Sequence, residues 1–548
     1  MRETGVVMMT AGAFDRLLPR PRSIRFGEGR FALGVCGVAS FAGSAADTHA
    51  ARNRLRRLVG PGWRLCEGVA ERAEIRFRLV PRTGCAQSYA LTVGADGVDA
   101  EAQDAAGLFY AAVTLGQLVG LSDHSGGGGT VRELPACAIR DCPDFAARGV
   151  MLDISRDKVP SMATLCGLVD QLADLKYNQL QLYTEHAFAY RGHEEVWRDA
   201  SPMTPDEVRA LDDYCRERCM ELVPNQNSFG HLERWLALPR YNGLAELPQG
   251  GAPLPWGGVL EKPASLCPTD PRSLEFLAGL YDDLLPNFTS GQFNVGCDET
   301  FDLRGGGRSA ELVTRVGEGR VYLDFLKRIH ALVSERGRTM QFWGDIIIRH
   351  PELVPETPKD AIALEWGYEA DHPFDAHGAL FARSGLSFYV CPGTSSWNSL
   401  AGRTDNMLAN LRSAAEKGLR HGARGLLVTD WGDGGHWQPL AVSLAGFAYG
   451  AGVAWCLEAN ADISLASALD AHLTEGCGGA LLALGGVYRL CGALRGNGTE
   501  LFQILSKPRT RPLLPGVTPE TLRAVLVRTD EVTAGLPPSR SVVRQDAE

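Results

Sequence analysis

The sequence predicts an α/β chain built on a (β/α)8 barrel, the TIM-barrel architecture, preceded by a small α+β domain and followed by a helical C-terminal region. Three observations carry this. From about residue 146, short apolar runs rich in Val, Ile, Leu and Phe alternate with amphipathic stretches, the pattern of a parallel sheet covered on both faces. Eight such strand–helix units fit into about 310 residues, the number and length of one barrel. No Gly-x-Gly-x-x-Gly turn follows the first run, which counts against the runner-up, an open doubly wound sheet.

The leading domain is assigned to residues 1–140. "AEIRFRLV" and "SYALTVGADGVDAEAQ" alternate apolar and polar residues, the second around a Gly-Ala-Asp-Gly turn, and both read as antiparallel strands. "DAAGLFYAAVTLGQLVGL" has helical spacing, and "SDHSGGGGT" reads as a flexible Gly/Ser loop. The barrel is assigned to 141–457. Its strands are expected at 148–155, 179–185, 221–227, 292–299, 339–345, 361–368, 386–393 and 425–432. Between them "SMATLCGLVDQLADLKY", "TPDEVRALDDYCRERCM" and "VYLDFLKRIHALVSERG" are expected helices. Residues 458–548 form the C-terminal region, where "LASALDAHLTEG" reads as helix and "LPPSRSVVRQDAE" as a poorly ordered tail.

Composition narrows the function classes. The chain has 548 residues and a net charge of −10. It carries no basic stripe, so nucleic acid is not an expected partner. No apolar run approaches the roughly 18 to 20 residues needed to span a bilayer. The N-terminus lacks a secretory h-region, so a cytoplasmic location without membrane association is the expectation. The fourteen cysteines are scattered in apolar sequence and read as buried free thiols of a reducing compartment. Cys215 and Cys219 stand at i,i+4 on an expected helix, but without a second ligand pair they do not make a zinc site.

Barrel chemistry gathers at the C-terminal ends of the strands, and here those ends share a composition. Strand two ends in Glu185, strand four in Asp298-Glu299, strand five in Trp343-Gly-Asp345, strand six in Glu365-Trp366-Gly-Tyr368 and strand eight in Asp430-Trp431-Gly-Asp433. His231 follows strand three and Trp397 follows strand seven. Four of the ten tryptophans thus fall beside carboxylates on one rim. Aromatic faces stack on the apolar faces of a sugar ring, and carboxylates accept its hydroxyl protons. A phosphorylated substrate would be repelled. Arg148, at the start of strand one, offers a fork for two neighbouring hydroxyls.

Asp-Glu occurs three times, and only Asp298-Glu299 follows an apolar strand; Asp206-Glu207 and Asp530-Glu531 sit in polar surroundings. Adjacent carboxylates repel, so one is driven toward its protonated form. A protonated carboxyl can cleave a glycosidic bond by general acid catalysis. Alternation along a strand would aim the two groups at different parts of the substrate.

With these residues in place, the sequence resembles glycoside hydrolase family 20, the β-N-acetylhexosaminidases, over roughly 75–450. The resemblance includes "SYALTV", "GLFYAAVTLGQL", "RGVMLDISRD" and the Asp-Glu strand end. It implies substrate-assisted hydrolysis of terminal GlcNAc or GalNAc with retention, through an oxazolinium-type intermediate, without metal or organic cofactor. By that resemblance Glu299 is the general acid/base and Asp298 orients the acetamido group. Arg148 grips the hydroxyls of the non-reducing sugar. Trp343, Trp366 and Trp431 box the acetamido methyl and stack on the ring. Asp433 holds distal hydroxyls, Tyr389 hydrogen-bonds the acetamido oxygen, and His231 lies near the acid/base residue. The expected partner is a glycan ending in N-acetylhexosamine and, at most, a second copy of the chain as a homodimer.

The sequence departs from the usual His-x-Gly-Gly-Asp-Glu by Asn294 and Cys297. Strand seven reads Tyr389-Val390-Cys391 in place of Tyr-x-Asp, and strand two reads "YTEHAF" where paired acids are usual. Two alternatives stay open at this point. One is a conventional retaining glycosidase using Glu299 with Asp433 or Glu185. The other is a catalytically inactive sugar-binding protein.

Overall fold

The computed structural model describes residues 15–70, 72–81, 84–122, 124–125, 131–506 and 512–536. The expected tail lies outside these residues from 537 onward, as does the glycine run of the expected Gly/Ser loop. No helix among the described residues is long and apolar enough to cross a membrane.

The leading unit is a mixed sheet whose outer strands are Ser23–Leu33 and Trp63–Glu67, with helices Ala45–Val59 and Ala105–Leu121 packed against each other. Tyr89–Gly94 and Gly97–Ala102 form the antiparallel hairpin expected around the Gly94–Gly97 turn. Ile75–Leu79 departs from expectation, running parallel to both Gly97–Ala102 and Gly37–Ala42. Apolar alternation reports which face is buried, not the direction of the neighbouring strand.

The second unit is the barrel. Its eight parallel strands are Ala147–Asp153, Gln179–Tyr183, Glu221–Val223, Gln292–Asn294, Thr339–Trp343, Ile362–Trp366, Ser387–Cys391 and Gly425–Asp430. Strand one pairs with strands two and eight. The ring closes between strands three and four through a single parallel bridge, Asn225 with Asn294. Every residue of strands one, two and eight is buried, because helices cover the outside and side chains fill the inside. Each strand ends short of its expected end, most of all strands three and four. Chain that read as strand is there irregular backbone carrying rim residues.

Local chemistry sets the helix starts. Pro205–Arg216 begins with a reciprocal capping box between Thr204 and Glu207 and has Pro at its first turn. It stops before Cys219, whose φ is +55°, so Cys215 and Cys219 do not share a helix face. All fourteen cysteines are free. Most are buried, but Cys36 and Cys85 are exposed.

The inside of the barrel is layered. Low in it, amides interlock: Gln181 donates to Gln341 at 2.8 Å, Asn294 to Gln181 at 2.9 Å, and Gln341 to Gln292 at 2.7 Å. Above them lies an apolar and aromatic layer that includes Met151, Tyr183, Leu364, Trp343, Trp397 and Trp431, with Trp366 and Tyr368 packed against it. Beyond Trp455, the end of the last barrel helix (Leu440–Trp455), the described residues are helical with irregular links.

Candidate active site

Asp298 and Glu299 do not lie on strand four, which stops at Asn294. They sit on the turn that follows, where Gly296, Cys297 and Glu299 all have positive φ, at +67°, +72° and +48°. Left-handed backbone is strained for side-chain-bearing residues and persists where surrounding structure over-determines it. The constraints are visible. Asn294 Oδ1 accepts the Gly296 N–H at 3.0 Å. Tyr322 donates to the Cys297 carbonyl at 3.0 Å, and Asp345 Oδ2 accepts the Glu299 N–H at 3.4 Å. Asn294 thus joins the amide layer to the Asp298–Glu299 turn, and the buried Cys297 is one of the turn's strained residues.

This turn, rather than strand alternation, aims the two carboxylates. Both reach His231, whose Nε2 is 3.3 Å from Asp298 Oδ2 and 3.5 Å from Glu299 Oε2. Burial by itself would lower the His231 pKa. The adjacent Asp298 and Glu299 carboxylates outweigh it and hold that pKa well above the ordinary range. Burial pushes the Glu299 carboxyl up, opposed by His231 and reinforced by Asp298. Asp298 Oδ1 is buried without a partner in the protein.

Gly230, immediately before His231, approaches the same turn so closely that a Cβ there would lie 2.4 Å from the Asp298 carbonyl oxygen. Gly230→Ala is therefore expected to displace His231 or the Asp298–Glu299 turn and lower kcat by about 100-fold, the scale of a 1 Å misplacement. The check is kcat alongside circular dichroism. Unchanged turnover in a folded variant would refute the link between this close approach and catalysis.

Arg156 organises the other side. It pairs with Asp153 at 2.9 Å, Glu185 at 3.1 Å and Asp433 at 3.7 Å, and lies over the rings of Tyr183 and Trp431. Tyr183 donates to Glu185 at 3.0 Å. Burial pushes the Glu185 carboxyl up to about 7, against the pull of Arg156. Aromatic rings line the space beside these charges. Trp366 stacks on Tyr368 with centroids 5.2 Å apart, Tyr368 meets Trp397 edge-on at 5.0 Å, and Trp343 and Trp431 lie 6.0 Å apart. Trp397 donates to Asn497 at 2.8 Å, and Asn497 reaches Asp433 at 3.4 Å.

The structure thus brings together Asp298, Glu299, Glu185, His231, Trp343, Trp366, Trp397, Trp431 and Asp433. It does not bring Arg148 to them, and Tyr389, although packed in the same aromatic cluster, turns its hydroxyl to the amide layer. Arg148 is the second residue of strand one, at the opposite end, and about five residues at 3.3 Å each separate its level from the rim, roughly 16 Å. The whole residue is 1% exposed. It donates to the carbonyls of Lys176 and Phe145 and to the Tyr110 hydroxyl at 2.9, 2.8 and 3.0 Å, under the ring of Trp455. That is the seam between the leading domain and the barrel floor. Tyr389 lies low in the barrel, its ring against Gly425, the first residue of strand eight, and its hydroxyl 3.3 Å from Gln292.

Two of the rim carboxylates read from sequence also face elsewhere. Glu365 turns outward to His372 and His377. Asp430 is buried under the hydroxyls of Thr394, Ser396 and Ser443. Sequence reasoning passed over Arg156 and Tyr183, and named Tyr368 at the end of strand six without giving it a role, although each lies at or just after an observed strand end. Asn497 carries no such signal, since it arrives from an irregular segment far beyond strand eight.

Known proteins resemble this chain in sequence and in fold. The family model for "Glycosyl hydrolase family 20, catalytic domain" matches residues 145–398, and that for "Glycosyl hydrolase family 20, domain 2" matches 15–142. A beta-hexosaminidase of Akkermansia muciniphila is 28% identical over 48% of this chain and 57% of its own length. One of Emericella nidulans is 26% identical over 52% of this chain and 49% of its own. The chain therefore spans about half the length of these curated relatives. Among solved structures, a family 20 exo-β-N-acetylglucosaminidase of Vibrio harveyi, in complex with N-acetylglucosamine, superposes with a TM-score of 0.67. It is 18% identical, over 84% of this chain and 76% of that one. A chitobiase of Flavobacterium johnsoniae gives a TM-score of 0.68 at 18% identity, over 94% and 82%. At that identity the likeness is one of fold.

Proposed function

This chain belongs to glycoside hydrolase family 20, and on that premise we propose that it is a retaining exo-β-N-acetylhexosaminidase working by substrate assistance. The observation that carries the reading is the Asp298–His231–Glu299 arrangement set against the aromatic layer. Glu299, its carboxyl raised by burial, donates its proton to the glycosidic oxygen as the bond to the anomeric carbon breaks. The oxygen of the substrate's own acetamido group forms the new bond to that carbon. Asp298 accepts the acetamide N–H and stabilises the positive charge that develops on the oxazolinium. Glu299, now a carboxylate, takes a proton from water, which opens the intermediate from the side the leaving group left. Two inversions give retention.

Arg156, in place of the expected Arg148, holds the hydroxyls of the terminal sugar together with Asp433. The aromatic rings around Trp431 and Trp366 receive the acetamido methyl and one face of the ring. A conventional nucleophile is less well supported, since Glu185 and Asp433, the two candidates, are both committed to Arg156.

Hydrolysis of a chromogenic β-N-acetylglucosaminide, with the matching glucoside as control, tests the proposal. The acetamido substrate is expected to turn over at least about 10³-fold faster, a lower bound set well under the roughly 10⁵–10⁸ M effective molarity of a well-placed intramolecular nucleophile. A thiazoline mimic of the intermediate is expected to inhibit tightly. Equal rates on the two substrates would overturn substrate assistance, and binding of the sugar without turnover would overturn the enzyme reading.

A further inference from the structure

We propose that Glu365, His372 and His377 form a divalent-metal site, best matched to zinc, on the outer wall of the barrel. On strand six, Leu364 and Trp366 face the lumen, so alternation turns Glu365 outward toward the covering helix Phe374–Ser384. There it is 2% exposed. His372 lies just before that helix and His377 in its first turn. His372 Nε2 is 2.8 Å from Glu365 Oε1, and His377 Nδ1 is 2.6 Å from the same oxygen. The three ligand atoms lie within 4.8 Å of one another, and the two rings stand at 76° with centroids 5.3 Å apart.

Two imidazole nitrogens and one carboxylate oxygen are a donor set that zinc takes in three-ligand sites, with water in the fourth position. With bonds of about 2.0–2.1 Å, tetrahedral ligand atoms sit about 3.3 Å apart. Small side-chain rotations would open the two hydrogen-bonded contacts to that spacing. The imidazole side chains are 19% and 25% exposed, which gives an ion a path from solvent to a buried carboxylate. His372 is also held in place by the backbone: its ring packs so tightly on Gly367 that a Cβ there would meet it at 2.1 Å.

The site would cross-link strand six to its helix across 367–373. That loop carries Tyr368, which stacks on Trp366, and Glu369, which pairs with Arg403 and accepts the Asn497 N–H. A bound ion would therefore brace one aromatic wall of the site from behind without touching the reacting groups.

The test uses the full chain, stripped with a chelator and titrated with Co²⁺ and separately with Zn²⁺. One equivalent of cobalt is expected to give the intense visible bands of four-coordinate Co²⁺. One equivalent of zinc is expected to bind by calorimetry and raise Tm. His372→Ala/His377→Ala and Glu365→Gln should lose the bands and the Tm shift. His377→Ala, which removes the more exposed ligand, is expected to remain folded and bind zinc at least about tenfold more weakly. A folded wild-type chain without cobalt bands or zinc heat would overturn the proposal. So would binding that survives undiminished in the double histidine variant or in a folded His377→Ala chain.

Discussion

Glu299→Gln is expected to lower kcat by about 10³-fold on a substrate with a sugar or alkyl leaving group, within the 10²–10⁴ typical of general acid–base catalysis. The loss should be much smaller in the first step when the leaving group is an activated phenol, which departs without protonation. The wild-type rate should fall as pH rises through the Glu299 pKa, because the protonated carboxyl is the working form. Burial raises that pKa above its ordinary value of 4.5, which carries the active range toward neutrality. In the Gln variant this alkaline limb should disappear. The decisive measurement is a pH–rate profile with both leaving groups. Near-normal turnover, or an equal first-step loss on both substrates, would remove Glu299 from its role.

The second large effect separates two arginines eight positions apart. Arg156→Met is expected to lower kcat/KM by about 100-fold or more, since charge-assisted hydrogen bonds contribute about 1.5–3 kcal/mol each and two sugar hydroxyls would lose theirs. The variant should stay folded, because Asp153 keeps the Ser155 and Gly432 N–H donors and burial raises the pKa of both Glu185 and Asp433. Arg148→Met is expected to do the opposite, with little change in kcat/KM for the folded fraction. It should destabilise by at least about 1–3 kcal/mol, the cost of leaving a buried acceptor without its donor, since the Lys176 and Phe145 carbonyls and the Tyr110 hydroxyl all lose the guanidinium. Lys176 lies in the same seam, 3.0 Å from Asp141 and over the ring of Trp455, so the loss would be felt across the domain junction. Urea denaturation of both variants alongside their kinetics checks this. An active-site phenotype for Arg148→Met would contradict the placement.

The barrel was legible because its signal is local and repeated. Every strand begins within a residue of its expected start, since the change from amphipathic helix to continuous apolar run is written in consecutive residues. The ends were less legible. "QFNVGCDE" is apolar enough to read as strand, yet it needs left-handed backbone at Gly296, Cys297 and Glu299, and hydropathy does not encode φ. The Asp-Glu pair stood out nonetheless, because charge after an apolar run is a local anomaly. The four tryptophans stood out for the same reason.

What sequence could not supply was height and direction inside the ring. Arg148 and Arg156 share one short segment, and only strand polarity says which stands at the chemical end. Tyr389 and Tyr183 both pack in the lumen, but one hydroxyl reaches the amide layer and the other a rim carboxylate. Glu365 and Trp366 are neighbours on opposite faces, so one meets two histidines outside while the other lines the site. Asn497 arrives from a distant segment. The sequence by itself determined the eight-strand barrel, its leading domain, the carboxylate pair and the aromatic rim, because these follow from apolar periodicity and local charge. The tertiary structure alone decided which arginine and tyrosines line the rim beside the carboxylate pair and which carboxylates face it. Those depend on the level and face at which closure of the barrel places each side chain, and level and face are set by residues far away along the chain.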